Sequence, residues 1–493
     1  MRRGLPAVAL ALLVFALPAS GQKAAPGKPD RSKPDRSKPP ALGPVRPLKL
    51  PPVLELRLSN GLPVFVVERH EVPVVQVDAV VRAGAGNDPL EKPGLASLTA
   101  DMLDEGAGSR GTLEISDETD FLGADLSAEA GWDSAAVALH VPVKRLDKAL
   151  PIFADVLVRP TFPASEIERV RKDRLTELLQ WRDEPAAIAS VAFARALYGP
   201  GHRYGTATVG TESSVRALSR SDLTAFHART FRPEDAAIVV VGDVGADSVR
   251  GELEKVLGGW KASGPGAAAE VPAAPQVPGR EVWIVDRPGA AQSEIRIGRI
   301  GPPRSTPDYF ALTVMNTILG GSFTSRLMQN LREQHGYAYG ARSRFDFRLS
   351  SGPFVAAAAV QTDKTAPALT EFFKELEAIR KTITDAEVAK AKNYVALSFP
   401  ASLETTGDIA SRLAEQFVYR LPNDWIQTYV SRIGAVTTAD VRRVASEYVD
   451  PGKVAVVVVG DRGKIESEVK ALNLGPIKTW SVDDLFGVEK KSK

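Results

Sequence analysis

Two short apolar runs, Leu54-Glu55-Leu56-Arg57-Leu58 and Val64-Phe65-Val66-Val67, flank Asn60-Gly61. Apolar strands on either side of an Asn-Gly pair predict a β-hairpin. Val74 to Val81 is a third strand candidate. The period then changes, and Gly94 to Leu103 reads as the start of a buried helix. Strand-like stretches return near residues 124–130 and 134–141. Helical spacing follows over 145–158, 165–182 and 186–198, and the unit closes on the apolar run from Ala237 to Asp243. Strands in groups and helices in groups predict an α+β layer architecture.

The pattern then repeats. Ser221-Asp222-Leu223, Arg232-Pro233 and IVVVGD at 238–243 find counterparts in Ala439-Asp440-Val441, Asp450-Pro451 and VVVVGD at 456–461. Three anchors share one ungapped offset of 218 (440−222, 451−233, 460−242). A duplicated domain accounts for this, with two similar halves facing each other. A cleft between such halves is the default place for a ligand.

At 493 residues the chain is too long for one hydrophobic core. Arg2 and Arg3, an apolar run from Leu5 to Leu17 and small residues through Gly21 predict an export signal over 1–21. An uncleaved anchor is the alternative, although the run is short for a membrane span. Localisation in a bacterial periplasm, or secretion, is the expectation. Residues 22–51 are rich in proline and lysine and read as a disordered tether. The first folded half is placed at 52–262, a Pro/Ala/Gly linker at 263–280, the second half at 281–480 and a tail at 481–493. No other apolar stretch is long enough to span a membrane. The chain has no cysteine, so its stability rests on its core and not on disulfides. A formal net charge of +2 gives no case for nucleic acid as a partner.

Candidate chemistry is sparse. The five histidines, His70, His140, His202, His227 and His335, form no local ligand pair. There is no phosphate loop, no nucleophile elbow and no dinucleotide fingerprint. One helix stands out, GLASLTADMLDEG at 94–106, where Ser97, Ala100 and Asp101 share a face.

Those residues carry a family resemblance. The duplicated half, the Asn60-Gly61 hairpin and the Gly94 helix resemble the pitrilysin/insulinase metallopeptidases. Active members carry the inverted zinc motif H-x-x-E-H in a run similar to G-L-A-H-x-x-E-H-M-L. Gly94-Leu95-Ala96 and Met102-Leu103 match its flanks without a gap. The first zinc histidine therefore corresponds to Ser97, the general-base glutamate to Ala100 and the second histidine to Asp101. Tyr198 to Gly205 is similar to the family's H-P-Y-G turn, with Arg203 in place of proline. LGGSFTSRLMQNLREQHGYAYGARS at 319–343 is similar to its glycine-containing loop, S-R-L helix and L-R-E-x-x-G-x-x-Y segment. The implied fold is two homologous α/β-roll halves, like those of mitochondrial processing peptidase, closing as a clamshell.

The resemblance also implies roles. The third zinc ligand corresponds to Glu177, 76 residues beyond Asp101 (177−101). Read locally, Glu177 is a solvated helix glutamate. With serine and alanine in the motif, zinc lacks ligands and water lacks its base, so no metal is expected in this chain. Arg332 and Tyr339, seven residues apart (339−332), match the family's substrate-binding pair. The arginine would hold a substrate carbonyl or carboxylate, and the tyrosine would donate to the oxyanion. Read locally, they are a surface arginine on a helix and a packed tyrosine on a strand shared with Tyr337 and Ala341. Some bacterial members pair two unlike subunits, one with the zinc motif and one with Arg/Tyr. This chain resembles the second kind, with zinc and H-x-x-E-H expected in a homologous partner and a peptide as substrate. The rivals are a structural or protein-binding member of the family, and a self-sufficient hydrolase with an unusual metal at Asp101 and Glu177.

Overall fold

The computed structural model describes residues 52–262, 266 and 271–486. They lie in one compact unit, Pro47–Lys493. The expected signal at 1–21, the tether at 22–51, most of residues 263–270 and the end of the tail (487–493) fall outside the described residues.

The first sheet is built from β1 (Leu54–Arg57), β2 (Pro63–Glu68), β3 (Val74–Val81) and, past a two-stranded ribbon of β4 (Gly106–Ala107) and β5 (Arg110–Gly111), from β6 (Asp125–Ala130), β7 (Ala135–Pro142) and β8 (Ala236–Gly242). Its order is β1-β2-β8-β3-β7-β6. The strands β3 and β8 lie inside the sheet and are almost wholly buried, so β8 reads as an unbroken apolar run, while β3 carries Gln76 and Asp78, which hydrogen-bond to each other. The predicted hairpin forms, with Gly61 at φ +88 in the left-handed region that its turn requires.

The second sheet contains β9 (Glu281–Asp286), β10 (Gln292–Ile300), β11 (Ala338–Phe345), β12 (Pro353–Gln361), β13 (Ala455–Gly460) and β14 (Ile477–Trp480). Its order, β11-β12-β10-β13-β9-β14, repeats the first sheet read backwards, with β14 in place of β1 at the far edge. The pairing senses repeat too. β2 runs parallel to β8 as β9 does to β13, and the other shared neighbours are antiparallel.

The 218-residue offset has a local physical cause at two of its three anchors. Asp222 accepts a hydrogen bond from the Ser219 backbone N–H at 2.9 Å, and Asp440 accepts one from Thr437 at 3.0 Å. Both are reciprocal capping boxes that start matching helices, Arg220–Thr230 and Thr438–Tyr448. Gly242 and Gly460 end matching strands. A Cβ on Gly242 would lie 2.3 Å from the Val74 carbonyl, and one on Gly460 would lie 2.5 Å from Ser293 Oγ.

Each half covers the other's sheet. The Pro185–Tyr198 helix of the first half lies on β10 and β13, where Phe193 fills the space above Gly298. The Thr406–Val418 helix of the second half lies on β3 and β8. There Arg82 stacks 3.9 Å from the Phe417 ring and donates to its carbonyl at 3.1 Å. Apolar residues thus cross between halves, with Ile188, Ala192 and Phe193 packed among Val285, Val457 and Val459. Asp133 ties the same junction with polar bonds. Its carboxylate accepts from the Leu349 N–H at 2.9 Å, the Tyr419 hydroxyl at 3.1 Å and the Tyr204 hydroxyl at 3.2 Å.

Candidate functional site

The helix that carries the altered motif spans Leu95–Asp101. Asp88 begins it from a distance, accepting the Gly94 N–H at 2.9 Å and the Ala96 N–H at 2.7 Å. Negative charge at a helix N-terminus satisfies its unpaired donors. Burial pushes the Asp88 carboxyl up to about 7, against the pull of those N–H groups and of Arg203. Arg203, the residue standing at the proline of the H-P-Y-G pattern, is itself buried, and its Nη2 sits 3.5 Å from Asp88.

Ser97 and Ala100 are buried on this helix, while Asp101 keeps 36% of its side chain exposed. Asp101 and Glu177 do come together, through a cation supplied by the protein. Arg174 pairs with Asp101 through Nη2 and with Glu177 through Nε at 3.2 Å. Its Nη1 donates to the Val209 carbonyl at 3.2 Å. Glu177 is therefore not simply solvated, since it shares a nearly buried guanidinium with Asp101. Burial raises the Asp101 carboxyl above its usual range, and Arg174 opposes that shift.

This donor set does not fit zinc. A serine and an alanine occupy two of the motif positions, and the two carboxylates already neutralise a fixed positive charge. Among the described residues no three His, Cys, Asp or Glu side chains converge as a metal site. The arginine was legible as an i, i+3 neighbour of Glu177 in RKDRLTELLQ, but its reach to Asp101 depends on tertiary packing.

The Arg332 and Tyr339 side chains do meet. The Arg332 guanidinium lies 5.1 Å from the Tyr339 ring centroid and 4.7 Å from that of Phe323. Arg332 sits in a segment wound as a π-helix, Met328–Gln334, a geometry over-represented at functional sites. Gly336 follows at φ +65 and turns the chain into β11. The expected shared face of Tyr337, Tyr339 and Ala341 does not form. A register shift between Ala338 and Ala341 breaks the alternation, so Ala341 is buried while Tyr339 is 87% exposed. The bulge presents an unpacked tyrosine, where regular pleating would have packed it.

The loop at Gly320-Gly321-Ser322 supports this arrangement. The Gly320 carbonyl accepts the Ser343 N–H at 3.1 Å, and Asn316 Nδ2 donates to the Ser343 carbonyl at 3.0 Å. The outer edge of β11 is thereby capped, and Phe323 is carried beside Arg332. None of Ser97, Ala100, Asp101 or Glu177 lines the groove onto which Tyr339 opens.

Comparison with known proteins bears on the family and the fold. The family description "Insulinase (Peptidase family M16)" matches residues 64–206, and "Peptidase M16 inactive domain" matches residues 217–395. An uncharacterized zinc protease of Mycobacterium leprae is 26% identical over 407 residues, covering 82% of this chain and 91% of that protein. A Helicobacter pylori protein named as a non-peptidase homolog is 23% identical over 408 residues, covering 82% and 93%. The crystal structure of a peptidase M16 inactive domain from Pseudomonas fluorescens superposes with a TM-score of 0.77 at 27% identity, covering 83% of this chain and 98% of that one.

Proposed function

Because the chain belongs to the M16 (insulinase) peptidase family, as a non-catalytic member, we propose that it is the substrate-binding subunit of an exported, heterodimeric zinc peptidase. Its Arg332 and Tyr339 would complete the active site of a homologous partner that carries H-x-x-E-H and the zinc. The observation that supports this reading is an asymmetry within one chain. The zinc positions are filled by an internal ion pair around Arg174, whereas Tyr339 stands 87% exposed beside Arg332. A tyrosine kept out of the core at a bulge has its hydroxyl free for a group from outside the chain.

In the proposed complex the partner's H-x-x-E-H residues would hold the zinc, which would supply the charge that polarises a peptide carbonyl. Tyr339 donates a hydrogen bond to the oxygen as negative charge develops, and Arg332 holds a neighbouring carbonyl or carboxylate. The basic and apolar pattern of residues 1–21 supports export. No helix among the described residues is long and apolar enough to cross a membrane.

The test mixes this chain with a homologous H-x-x-E-H chain and follows peptide hydrolysis. Hydrolysis should need both chains, and Tyr339→Phe or Arg332→Ala should lower kcat on the order of 10²-fold. Full activity in both variants would leave the chain as a structural or protein-binding subunit.

A further inference from the structure

The side of β11 that carries Tyr339 continues as a row of arginines. Arg342 and Arg344 follow on the exposed face of the same strand, while Ala341 and Ser343 between them are buried. Both line a cavity of about 490 Å³ between the second sheet and the Pro185–Tyr198 helix. Trp132 and Trp181 contribute to its walls. Arg342 also lines the adjoining groove of about 560 Å³ that contains Tyr339, and Arg344 lines a third depression beside Arg304. One continuous path therefore runs from Tyr339 past Arg342 and Arg344 into the space between the halves.

The charges along this path are not equivalent. Arg296 pairs with Glu294 at 2.7 Å, Arg304 with Glu415 at 3.2 Å, and Arg348 donates through Nε to Asp346 at 3.1 Å. Among the described residues, Arg342 and Arg344 have no hydrogen bond or ion pair through their side chains. The path thus carries two uncompensated positive charges, two residues apart on one strand face, roughly 6–7 Å along the chain. Such a pair matches carboxylates at alternate positions of an extended peptide, which recur at the same spacing. Because Glu294, Asp346 and Glu415 neutralise the other arginines, the uncompensated charge is confined to two points, which suits isolated carboxylates better than a continuous nucleic-acid backbone.

We propose that the path from Tyr339 to Arg344 binds an extended acidic peptide segment, with Arg342 and Arg344 each taking a carboxylate of an acidic-x-acidic sequence. This names the substrate class for the substrate-binding subunit and rests on that reading. Tyr339 and Arg342 are three residues apart with the bulge between them, so they are closer than the roughly 10 Å that three residues of regular strand would span. The acidic pair therefore begins about two to three residues from the bond placed at Tyr339.

The test uses the full chain without a partner and fluorescein-labelled 12-residue peptides, read by fluorescence polarisation. A peptide with one Glu-x-Glu should bind at least tenfold tighter than its Gln-x-Gln twin. Raising salt from about 50 to 300 mM should weaken it several-fold, because the contacts are ionic. Arg342→Gln with Arg344→Gln should remove the preference, and the corresponding double lysine variant should restore most of it. Both arginines are exposed, and a normal circular dichroism melt checks that the variants fold. Equal binding of the two peptides, an unchanged preference in the double glutamine variant, or tighter binding of an oligo-thymidine would overturn the proposal. Its failure is separable from failure of the shared-site reading. Glu-x-Glu preference with no dependence of partnered hydrolysis on Arg332 and Tyr339 would sink only the latter. The reverse pair of results would sink only the acidic groove.

Discussion

Arg174 pairs with Asp101 at the position of the second zinc histidine and holds Glu177, the counterpart of the third ligand, at 3.2 Å. The helix of the lost motif is therefore not left with stranded charges. A guanidinium balances the carboxylates that remain, and a third bond to the Val209 carbonyl fixes it in place. Removing one partner of a nearly buried charge leaves the other uncompensated, so each of the three residues constrains the others.

This ion pair predicts that rebuilding the motif alone will fail. A chain carrying Ser97→His, Ala100→Glu and Asp101→His regains the motif letters but keeps a fixed cation against Glu177. Like charges a few ångströms apart repel by several kcal/mol at protein-like screening, on the order of 4 kcal/mol at 4 Å. Adding Arg174→Gln should raise zinc affinity at least tenfold over the triple variant, measured by calorimetric titration. Equal affinities would show that Arg174 does not guard the site.

A second prediction concerns the junction of the halves. Asp133 takes three hydrogen bonds, two of them from Leu349 and Tyr419 of the second half. Asp133→Ala would strand three buried or half-buried donors, each costing about 1 kcal/mol or more. We expect a loss of about 2–4 kcal/mol in denaturant unfolding. Tyr419→Phe, which removes one hydroxyl, should cost about 1 kcal/mol.

Much of the architecture was legible because each half-sheet has its own local pattern. The run at 237–243 marked a buried strand and Val74–Val81 a strand, and the anchors at Asp222 and Asp440 marked the duplication because both close the same capping box. What stayed hidden is what depends on distant residues. Nothing in the period of β11 announces the bulge at Tyr339-Gly340, because that irregularity is set by the register with β12 and the capped outer edge. Nor does the amphipathic pattern of the Pro185–Tyr198 helix show that the sheet it covers belongs to the other half.

His227 makes a pH prediction. Its ring stacks on Phe231 at 4.6 Å, its Nε2 is 2.9 Å from the Leu157 carbonyl, and burial pushes its pKa down from 6.5 to about 4. Between those values the unfolded chain binds a proton that the folded chain refuses. This contribution is present above pH 6.5 and is lost as the pH falls toward 4. Unfolding free energy should therefore drop on acidification more steeply in the natural chain than in His227→Gln. The difference accumulated between the two profiles from pH 6.5 down to 4 should be about 3 kcal/mol. Parallel pH profiles would contradict it.

Gly320 gives the sharpest separation of architecture from chemistry. A Cβ there would lie 2.2 Å from the Ser343 backbone nitrogen and 2.5 Å from its Oγ, so the loop can approach β11 this closely only with glycine. Gly320→Ala should push the loop outward, taking with it Phe323, which holds the Arg332 guanidinium at 4.7 Å. The expected result is at least a tenfold fall in partnered hydrolysis together with about 1–3 kcal/mol of lost stability, the usual size of an overpacking change. Tyr339→Phe should reproduce the first effect without the second, since that side chain is 87% exposed. Gly434→Ala is the control for glycine replacement. A Cβ there meets nothing within 4 Å, and the residue lies inside the Trp425–Ala435 helix, so stability should be unchanged or slightly raised. Unchanged hydrolysis in Gly320→Ala, with the loop shown to have moved by loss of Ser343 amide protection, would mean that Arg332 acts without its aromatic support.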